Sequence, residues 1–76
     1  MSTITIGKLA KETDINIETV RFYERKGLMP KPSRSPSGYR LYSDDDQKRL
    51  HFILLAKKHG FTLSDIKDLL ELRVDP

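Results

Sequence analysis

Residues 25–43 of the sequence combine basic and aromatic side chains and contain no acidic ones. This stretch contains five Lys or Arg, no Asp or Glu, and two tyrosines, Tyr39 and Tyr42, placed between the cations. Closely spaced cations suit the phosphate backbone of a nucleic acid, and tyrosine hydroxyl groups add hydrogen-bond capacity toward phosphates and bases. The stretch therefore predicts a surface that lies along double-stranded DNA.

The preceding segment, from about Ile17 to Lys26, is predicted to be a short helix that presents polar side chains to bases. The candidates for its outward face are Thr19, Arg21, Phe22, Tyr23 and Arg25. Arg21 is the strongest of them, because a guanidinium group can bridge a guanine edge or clamp a phosphate. Thr19 and Tyr23 would supply hydroxyl groups to base edges or backbone oxygens.

Two of these assignments have a structural alternative. Arg21 could form an ion pair with Glu18 or Glu24 on its own helix, which is a common arrangement at this spacing. Tyr23 could pack beneath the loop that follows rather than face a ligand. The helix sequence leaves both alternatives open.

Gly38, Tyr39 and Arg40, at a predicted turn and strand, are further candidates for DNA contact. Gly38 permits close approach of the backbone to a ligand, while Tyr39 and Arg40 present an aromatic ring and a cation at a strand tip. Tyr39 and Tyr42 could instead be half-buried strand residues, and we expect the two to share one face of the strand. Lys57, near the end of a later helix, could contact a phosphate, complement the helix dipole, or do both.

Two short helices joined by a tight turn would position the first group of candidates. Thr5 is predicted to cap the first helix and Asn16 the second, which Gly27 ends. The side chains expected to pack between these helices are Ile6, Leu9, Ile15, Ile17 and Val20. This arrangement, at about residues 5–26, is the helix-turn-helix pattern, whose second helix commonly enters the major groove.

The proline- and serine-rich segment at about residues 28–42 is predicted to be a wing, a loop or hairpin beside the second helix. Ser35 to Gly38 is a turn sequence, and the alternation from Tyr39 to Tyr42 suits a short strand with Leu41 toward the core. The other side of the hairpin, near Met29 to Lys31, would pair weakly because prolines lack an N–H.

Two further helices, at about residues 43–59 and 62–73, are predicted to form a second helix pair. Ser43 and Thr62 are placed as N-caps of the pair. The acidic run from Asp44 to Asp46 could suggest a metal site, but it lacks the pattern of a calcium loop, and carboxylates are favoured at a helix start. The expected fold is mainly α: one domain over residues 1–76, a winged helix-turn-helix with a short β wing and four helices.

The composition argues against several other classes of function. The 76 residues include no cysteine, which removes disulfide, zinc–thiolate and thiol-nucleophile chemistry and is compatible with the cytoplasm. His51 and His59 lie too far apart along their helix to share one metal ion. No nucleophile and base pair indicates an enzyme, and no apolar run is long enough to span a bilayer. We therefore expect a cytoplasmic protein with no cofactor in this chain, no membrane partner and no catalysis.

The longest motifs in the sequence are the segments TIGKLAKETDINIETVRFYERKGL, SPSGYRLYS and LLAKKHGFTLSDIKDLLELRVDP. Together they resemble the N-terminal DNA-binding domain of the mercury-resistance-regulator (MerR) family of bacterial transcription factors. The resemblance extends from about Thr5 to Pro76, and VRFYERKGL and GYRLY are its most specific parts. It implies a winged helix-turn-helix with a second helix pair.

The resemblance also implies roles for individual residues. Arg21 and Tyr23 match the family's recognition-helix contacts, and Tyr39 and Arg40 match its wing contacts. Lys57 matches a basic position that contacts phosphate in family members.

The family's mechanism would involve a homodimer on a palindromic operator inside a promoter with an overlong spacer. Effector binding would bend and untwist the DNA and so realign the promoter for RNA polymerase. The ending LLELRVDP looks most like the metal-responsive branch, so the effector could be a metal ion. It would bind in a C-terminal region beyond Pro76.

Two alternatives are compatible with the same residues. The chain could be a stand-alone architectural or excisionase-like DNA-binding protein, since such proteins can be little more than a winged helix. It could also be a protein-interaction module whose basic wing binds an acidic partner.

Overall fold

The structure, a computed structural model, describes residues 3–72 apart from the side chain of Ser33. Within that range the elements in chain order are β1 (Ile4–Thr5), α1 (Ile6–Thr13), α2 (Ile17–Arg25), β2 (Ser33–Arg34), β3 (Arg40–Tyr42), α3 (Asp44–Lys58) and α4 (Leu63–Leu72). The predicted fold class, a mainly helical winged helix-turn-helix with four helices, is confirmed. The predicted break of the last helix near Val74 lies outside the described residues.

Side-chain caps start the helices where the sequence predicted them. The side-chain oxygens of Thr5, Asn16 and Ser43 each accept a hydrogen bond from a backbone N–H of the first helical turn, at 3.3, 2.9 and 3.1 Å. Thr62 and Asp65 form a reciprocal capping pair at the start of α4, with N···O distances of 3.3 and 3.1 Å. These bonds satisfy N–H groups that have no partner inside the helix.

Left-handed residues end the first two helices and set the direction of the chain. Asp14, with φ of 61°, turns the chain after α1, and Gly27, with φ of 81°, turns it after α2. The N–H of Leu28 then donates to the carbonyl of Tyr23 at 2.9 Å, in the Schellman arrangement. This turn directs Leu28, which is fully buried, into the core at the base of the wing.

The wing belongs to a three-stranded antiparallel sheet in which β3 lies between β1 and β2. Arg34 is opposite Arg40, and Leu41 lies between Thr5 on one side and Ser33 on the other. The first strand was not predicted, because it has only two residues, the second of which is the N-cap of α1, and so carries no alternation that could be recognised. The partner strand of the hairpin is β2 rather than the predicted flank at Met29 to Lys31.

The core lies where α1, α2, α3, α4 and the base of the wing meet. Its buried side chains are Leu9, Ala10, Val20, Tyr23, Leu28, Met29, Tyr42, Leu50, Ile53, Ala56, Ile66 and Leu70. Arg49 of α3 donates a hydrogen bond to the backbone carbonyl of Leu28, which ties the second helix pair to the start of the wing. Ile6 and Ile15 pack against this core as predicted, whereas Ile17 is 38% exposed and the expectation that it packs between the helices is wrong.

Tyr42, and not Leu41, faces the core. Tyr42 is fully buried, Leu41 is half-buried, and Tyr39 is 68% exposed. The expectation that the two tyrosines share a face is therefore wrong. They are three positions apart, and because strand side chains alternate with a period of two, an odd separation places them on opposite faces.

Candidate nucleic-acid interface

An open groove of about 510 Å³ lies between α2 and the wing, which here means residues 28–42. Its lining residues are Arg21, Glu24, Arg25, Lys31, Pro32, Arg34 and Arg40. Five of these seven side chains are cationic and one is anionic, so the groove carries a local excess of positive charge. A concave surface of this charge concentrates anions such as phosphate groups.

A second depression of about 230 Å³ continues the groove toward the tip of the wing. It shares Arg21, Arg34 and Arg40 with the first groove, and Gly38 and Tyr39 contribute to its lining. We call the two depressions together the basic cleft. The cleft therefore brings together the predicted recognition-helix residue Arg21 and the predicted wing residues Gly38, Tyr39 and Arg40.

Arg21 is held loosely. Its guanidinium group lies 3.9 Å from the carboxylate of Glu18, one turn away on α2, and Arg25 lies 4.0 Å from the same carboxylate. All three side chains are exposed, and exposed pairs of this kind contribute only about 0–1 kcal/mol. The ion pair with Glu18 thus exists but leaves Arg21 available to a ligand, while the alternative pair with Glu24 is not formed.

Glu24 instead bridges α2 to the wing. Its carboxylate accepts a hydrogen bond from the Arg40 guanidinium group at 2.7 Å through one oxygen and from the Tyr42 hydroxyl through the other. Burial of Tyr42, followed by its hydrogen bond to Glu24 and the charge of that carboxylate, raises the pKa of the tyrosine to about 12, against a smaller opposing effect of Arg40. Both carboxylate oxygens of Glu24 are thus occupied by groups of β3.

Tyr23 does not lie on the outward face of α2. It is 6% exposed, and burial raises the pKa of its hydroxyl group. The physical reason is helical spacing, because Tyr23 is three residues beyond the fully buried Val20 and so lies on the same face. The expectation that its side chain faces outward is corrected, because Tyr23 belongs to the buried core.

Thr19 is also engaged within its own helix. Its hydroxyl group donates to the side-chain oxygen of Asn16 at 3.0 Å, next to the bond from the Thr19 N–H that caps α2. The hydroxyl oxygen can still accept a hydrogen bond from a ligand. Of the predicted contacts on this helix, Arg21 and Arg25 are the exposed ones that line the cleft.

The tip of the wing is a compact turn. The N–H of Gly38 donates to the carbonyl of Ser35 at 2.9 Å, the N–H of Ser35 donates to the carbonyl of Tyr39 at 2.8 Å, and Gly38 has φ of 91°. Arg34 donates to the Gly38 carbonyl at 2.9 Å, which holds its side chain across the turn. This three-residue loop with a left-handed glycine is a common hairpin connection, and it presents Tyr39 to solvent.

Lys31, Arg34 and Glu24 line the cleft but were not among the individual candidates for DNA contact. Lys31 and Arg34 were counted only within the basic stretch 25–43, and Glu24 was considered only as a possible ion-pair partner of Arg21. Arg34 could have been found from its position opposite Arg40 in the hairpin, had the register been known. Lys57 is exposed in the last turn of α3 and is not among the residues that line the cleft.

The acidic run at the start of α3 caps the helix as predicted. Asp46 accepts a hydrogen bond from the Ser43 N–H at 2.9 Å and its own N–H donates to the Ser43 hydroxyl oxygen. Among residues 3–72, no group of three or more His, Cys, Asp or Glu side chains is arranged to hold a metal ion. In that same range no helix is long and apolar enough to cross a membrane.

Comparison with known sequences gives one family and several close relatives. The family model described as MerR HTH family regulatory protein matches residues 4–72. The chain is 51% identical over 65 residues to the mercuric resistance operon regulatory protein of Bacillus cereus, covering 86% of this chain and 49% of that protein. It is 42% identical over 71 residues to the HTH-type transcriptional regulator ZntR of Escherichia coli (strain K12), covering 93% of this chain and 50% of that protein. The chain thus spans about half the length of these relatives.

Solved structures give the same result. The structure matches HiNmlR, a MerR family regulator lacking the sensor domain and bound to promoter DNA, with a TM-score of 0.88, 34% identity, and coverage of 96% of this chain and 55% of that one. It also matches the transcription regulator PbrR691 from Ralstonia metallidurans CH34, in complex with lead(II), with a TM-score of 0.84, 44% identity, and coverage of 92% and 55%.

Proposed function

This chain belongs to the MerR family of HTH regulatory proteins, and we propose that it binds double-stranded DNA sequence-specifically as the DNA-binding domain of a transcriptional regulator. The observation that carries the proposal is the basic cleft, in which five cations from α2 and the wing converge on one concave surface. A duplex offers a matching array of phosphates, together with base edges that a helix can reach in the major groove.

In the proposed complex α2 lies in the major groove and the wing lies along the sugar-phosphate backbone. Arg21 reads a base edge, and Thr19 and Tyr23 contribute hydroxyl groups nearby. Gly38, Tyr39 and Arg40 at the wing contact the backbone, as do Arg25 and, from α3, Lys57. This division follows the usual geometry of the motif, in which a few helix side chains specify bases and flanking elements position the protein.

At the level of the whole protein we propose a homodimer that occupies a palindromic operator within a promoter. Distortion of the DNA would then realign the promoter for RNA polymerase, with deformation energies of about 1–6 kcal/mol on smooth-bending estimates. An effector, such as a metal ion, would bind residues beyond Pro76, and this chain would itself act by binding rather than by catalysis. The setting of such a regulator is the cytoplasm.

The experiment that tests the proposal is selection of this chain against a pool of randomised duplex DNA at moderate salt, followed by sequencing of the retained molecules. Recovery of a short half-site motif would support sequence-specific readout and would supply the operator. Retention without a motif would favour an architectural DNA-binding role. If no duplex is retained even at low salt, DNA binding is wrong and a protein-interaction role with an acidic partner takes its place.

A further inference from the structure

Glu24 is an unexpected residue in a surface that attracts phosphates. It is the one acidic member among the described residues that line the larger groove of the basic cleft. A carboxylate there lowers the electrostatic attraction for every duplex, whatever its sequence, because that attraction comes from neutralisation of phosphates by cations. Affinity for DNA therefore does not explain why Glu24 lies in this groove.

The bonding of Glu24 supplies that explanation. Its side chain is only 12% exposed, and its two oxygens accept from Arg40 and Tyr42, which are 16 and 18 residues further along the chain. Among the described residues, the side-chain hydrogen bonds that join α2 to β3 both end on this carboxylate. Glu24 therefore holds the wing strand against the helix that carries Arg21.

The base of the wing is anchored in the core, where β3 pairs with β1 and Tyr42 is fully buried. The hairpin of the wing is short. Its strands β2 and β3 contain two and three residues, and short hairpins are marginal without packing against another element. Arg21 lies one helical turn before Glu24, and Tyr39 and Arg40 precede Tyr42 on the wing. The Glu24 carboxylate thus adds a direct polar link between α2, which carries the proposed base-reading side chain, and the strand that carries the proposed backbone contact Arg40.

We propose that Glu24 is a positioning residue for DNA specificity, which acts through Arg40 and Tyr42 to fix the wing relative to α2 and so favours the correct duplex at the expense of general affinity. This inference rests on the proposed DNA-binding function. It assigns Glu24 no contact with DNA.

The experiment compares Glu24→Gln with Glu18→Gln, which removes the same charge from an exposed position on the same helix. Affinity is measured for a duplex that carries the selected half-site and for a scrambled duplex. Glu18→Gln should tighten binding to both duplexes in parallel. Glu24→Gln should weaken binding to the half-site and leave binding to the scrambled duplex unchanged or tighter. The ratio of the half-site affinity to the scrambled-duplex affinity should therefore fall roughly tenfold, which is within the range of couplings between residues in contact. A parallel gain on both duplexes with Glu24→Gln would overturn the proposal.

Two further variants separate geometry from charge. Glu24→Asp keeps the charge but is one methylene shorter, so it should lower the ratio without strengthening binding to the scrambled duplex. In an Arg40→Gln background, Glu24→Gln should have little further effect on the ratio, whereas additive losses would contradict action through Arg40.

Thermal unfolding of each variant defines a temperature at which all are folded, and the ratios are compared there. An unchanged ratio in both Glu24→Gln and Glu24→Asp at that temperature would also overturn the proposal. If the unsubstituted chain selects no half-site at all, it is the proposed function that fails, and this result is distinct from an unchanged ratio.

Discussion

Arg21 and Arg40 are both candidate DNA contacts, yet the structure holds them in different ways. Arg21 is exposed and lies 3.9 Å from an exposed carboxylate, whereas Arg40 is bound at 2.7 Å to the mostly buried Glu24. A loosely held guanidinium group can adapt to a base edge, while a fixed one suits a backbone position that recurs along any duplex. The two arginines are therefore expected to respond differently to substitution.

Replacement of Arg21 and of Lys57 should separate base reading from phosphate contact. Arg21→Ala is expected to weaken binding to the selected half-site by about 1–3 kcal/mol, with little effect on random duplex. Lys57→Ala should weaken binding to all sequences and reduce the salt dependence by about one unit of log–log slope. Affinity titrations on both duplexes at several salt concentrations measure these effects. Equal losses on both duplexes for both variants would contradict the role of Arg21 as a base reader.

Burial of Tyr42, together with its hydrogen bond to Glu24, should make the stability of the protein sensitive to high pH. The folded protein raises the tyrosine pKa from 10.0 to about 12, so the protonated hydroxyl group is favoured in the folded state. The contribution of the Tyr42 hydroxyl group to the free energy of unfolding is fully present below pH 10 and is lost as the pH rises toward 12. Near neutral pH, the free energy of unfolding obtained from urea titrations should therefore be lower for Tyr42→Phe than for the unsubstituted protein by about 1.5–3 kcal/mol.

That difference should shrink as the pH passes through the interval between the two pKa values. The comparison with Tyr42→Phe controls for the other groups that titrate at high pH, because both proteins contain them. A difference that stays constant up to pH 12 would show that the hydroxyl group has no raised pKa.

Among the secondary-structure elements, α2 and the wing are each shaped by a turn with a left-handed glycine. Gly27 turns the chain into the core at Leu28, and Gly38 closes the hairpin tip. The backbone hydrogen bonds that close each turn join residues at most six positions apart. The contact between the two elements joins residues further apart, because Glu24 accepts hydrogen bonds from Arg40 and Tyr42.

The conformation of Gly38 gives a prediction for the wing. A Cβ atom at this position meets nothing within 4 Å, so Gly38→Ala introduces backbone strain alone, because φ is 91°. The expected cost is about 1–2 kcal/mol, and Gly38→Asn should cost less because asparagine visits this region more readily. Faster amide exchange at Ser35, whose N–H donates to Tyr39, would report the weakened turn.

Gly7→Ala is the matched control. Gly7 lies within α1, and a Cβ atom there also meets nothing within 4 Å. The same substitution should stabilise the protein by up to about 1 kcal/mol, because glycine is unfavourable inside a helix. Destabilisation of similar size by both substitutions would contradict the assignment of strain to the wing turn.

At the scale of the whole molecule, the distribution of charge matters more than the net value of +3. Residues 1–43 carry eight Lys or Arg against four Asp or Glu, while residues 44–76 carry six against seven. The fold gathers five of the cations in the first half into the basic cleft. The second half supplies the core side chains Leu50, Ile53, Ala56, Ile66 and Leu70, and none of its described residues is among those that line the basic cleft.

The salt dependence of binding to random duplex tests whether this uneven distribution of charge governs phosphate contact. Each phosphate neutralised by the protein contributes about −0.9 to the slope of log affinity against log salt. Arg34→Gln, in the cleft, should reduce the magnitude of the slope by roughly that amount. Lys48→Gln, on α3 and not among the cleft residues, should leave it unchanged. Similar changes for both variants would mean that binding follows net charge rather than the cleft.

Features that depend only on neighbouring residues could be predicted from the sequence. Thr5, Asn16 and Ser43 cap their helices through N–H groups three residues away, and Ser35 to Gly38 forms the expected turn. Such bonds reach only a few residues along the chain, so local sequence is enough to predict them. The same local patterns carried the resemblance to the MerR family.

Contacts between residues far apart in the chain became visible only in the folded structure. It placed Tyr23 and Tyr42 inside, joined β1 to the wing, brought Arg34 into the cleft beside Arg21, and gave Glu24 its partners on β3. These outcomes depend on strand register and on the packing of one shared core, where each side chain competes with all the others for space. No periodicity within a single element contains that information, and so the composition of the cleft became known only from the fold.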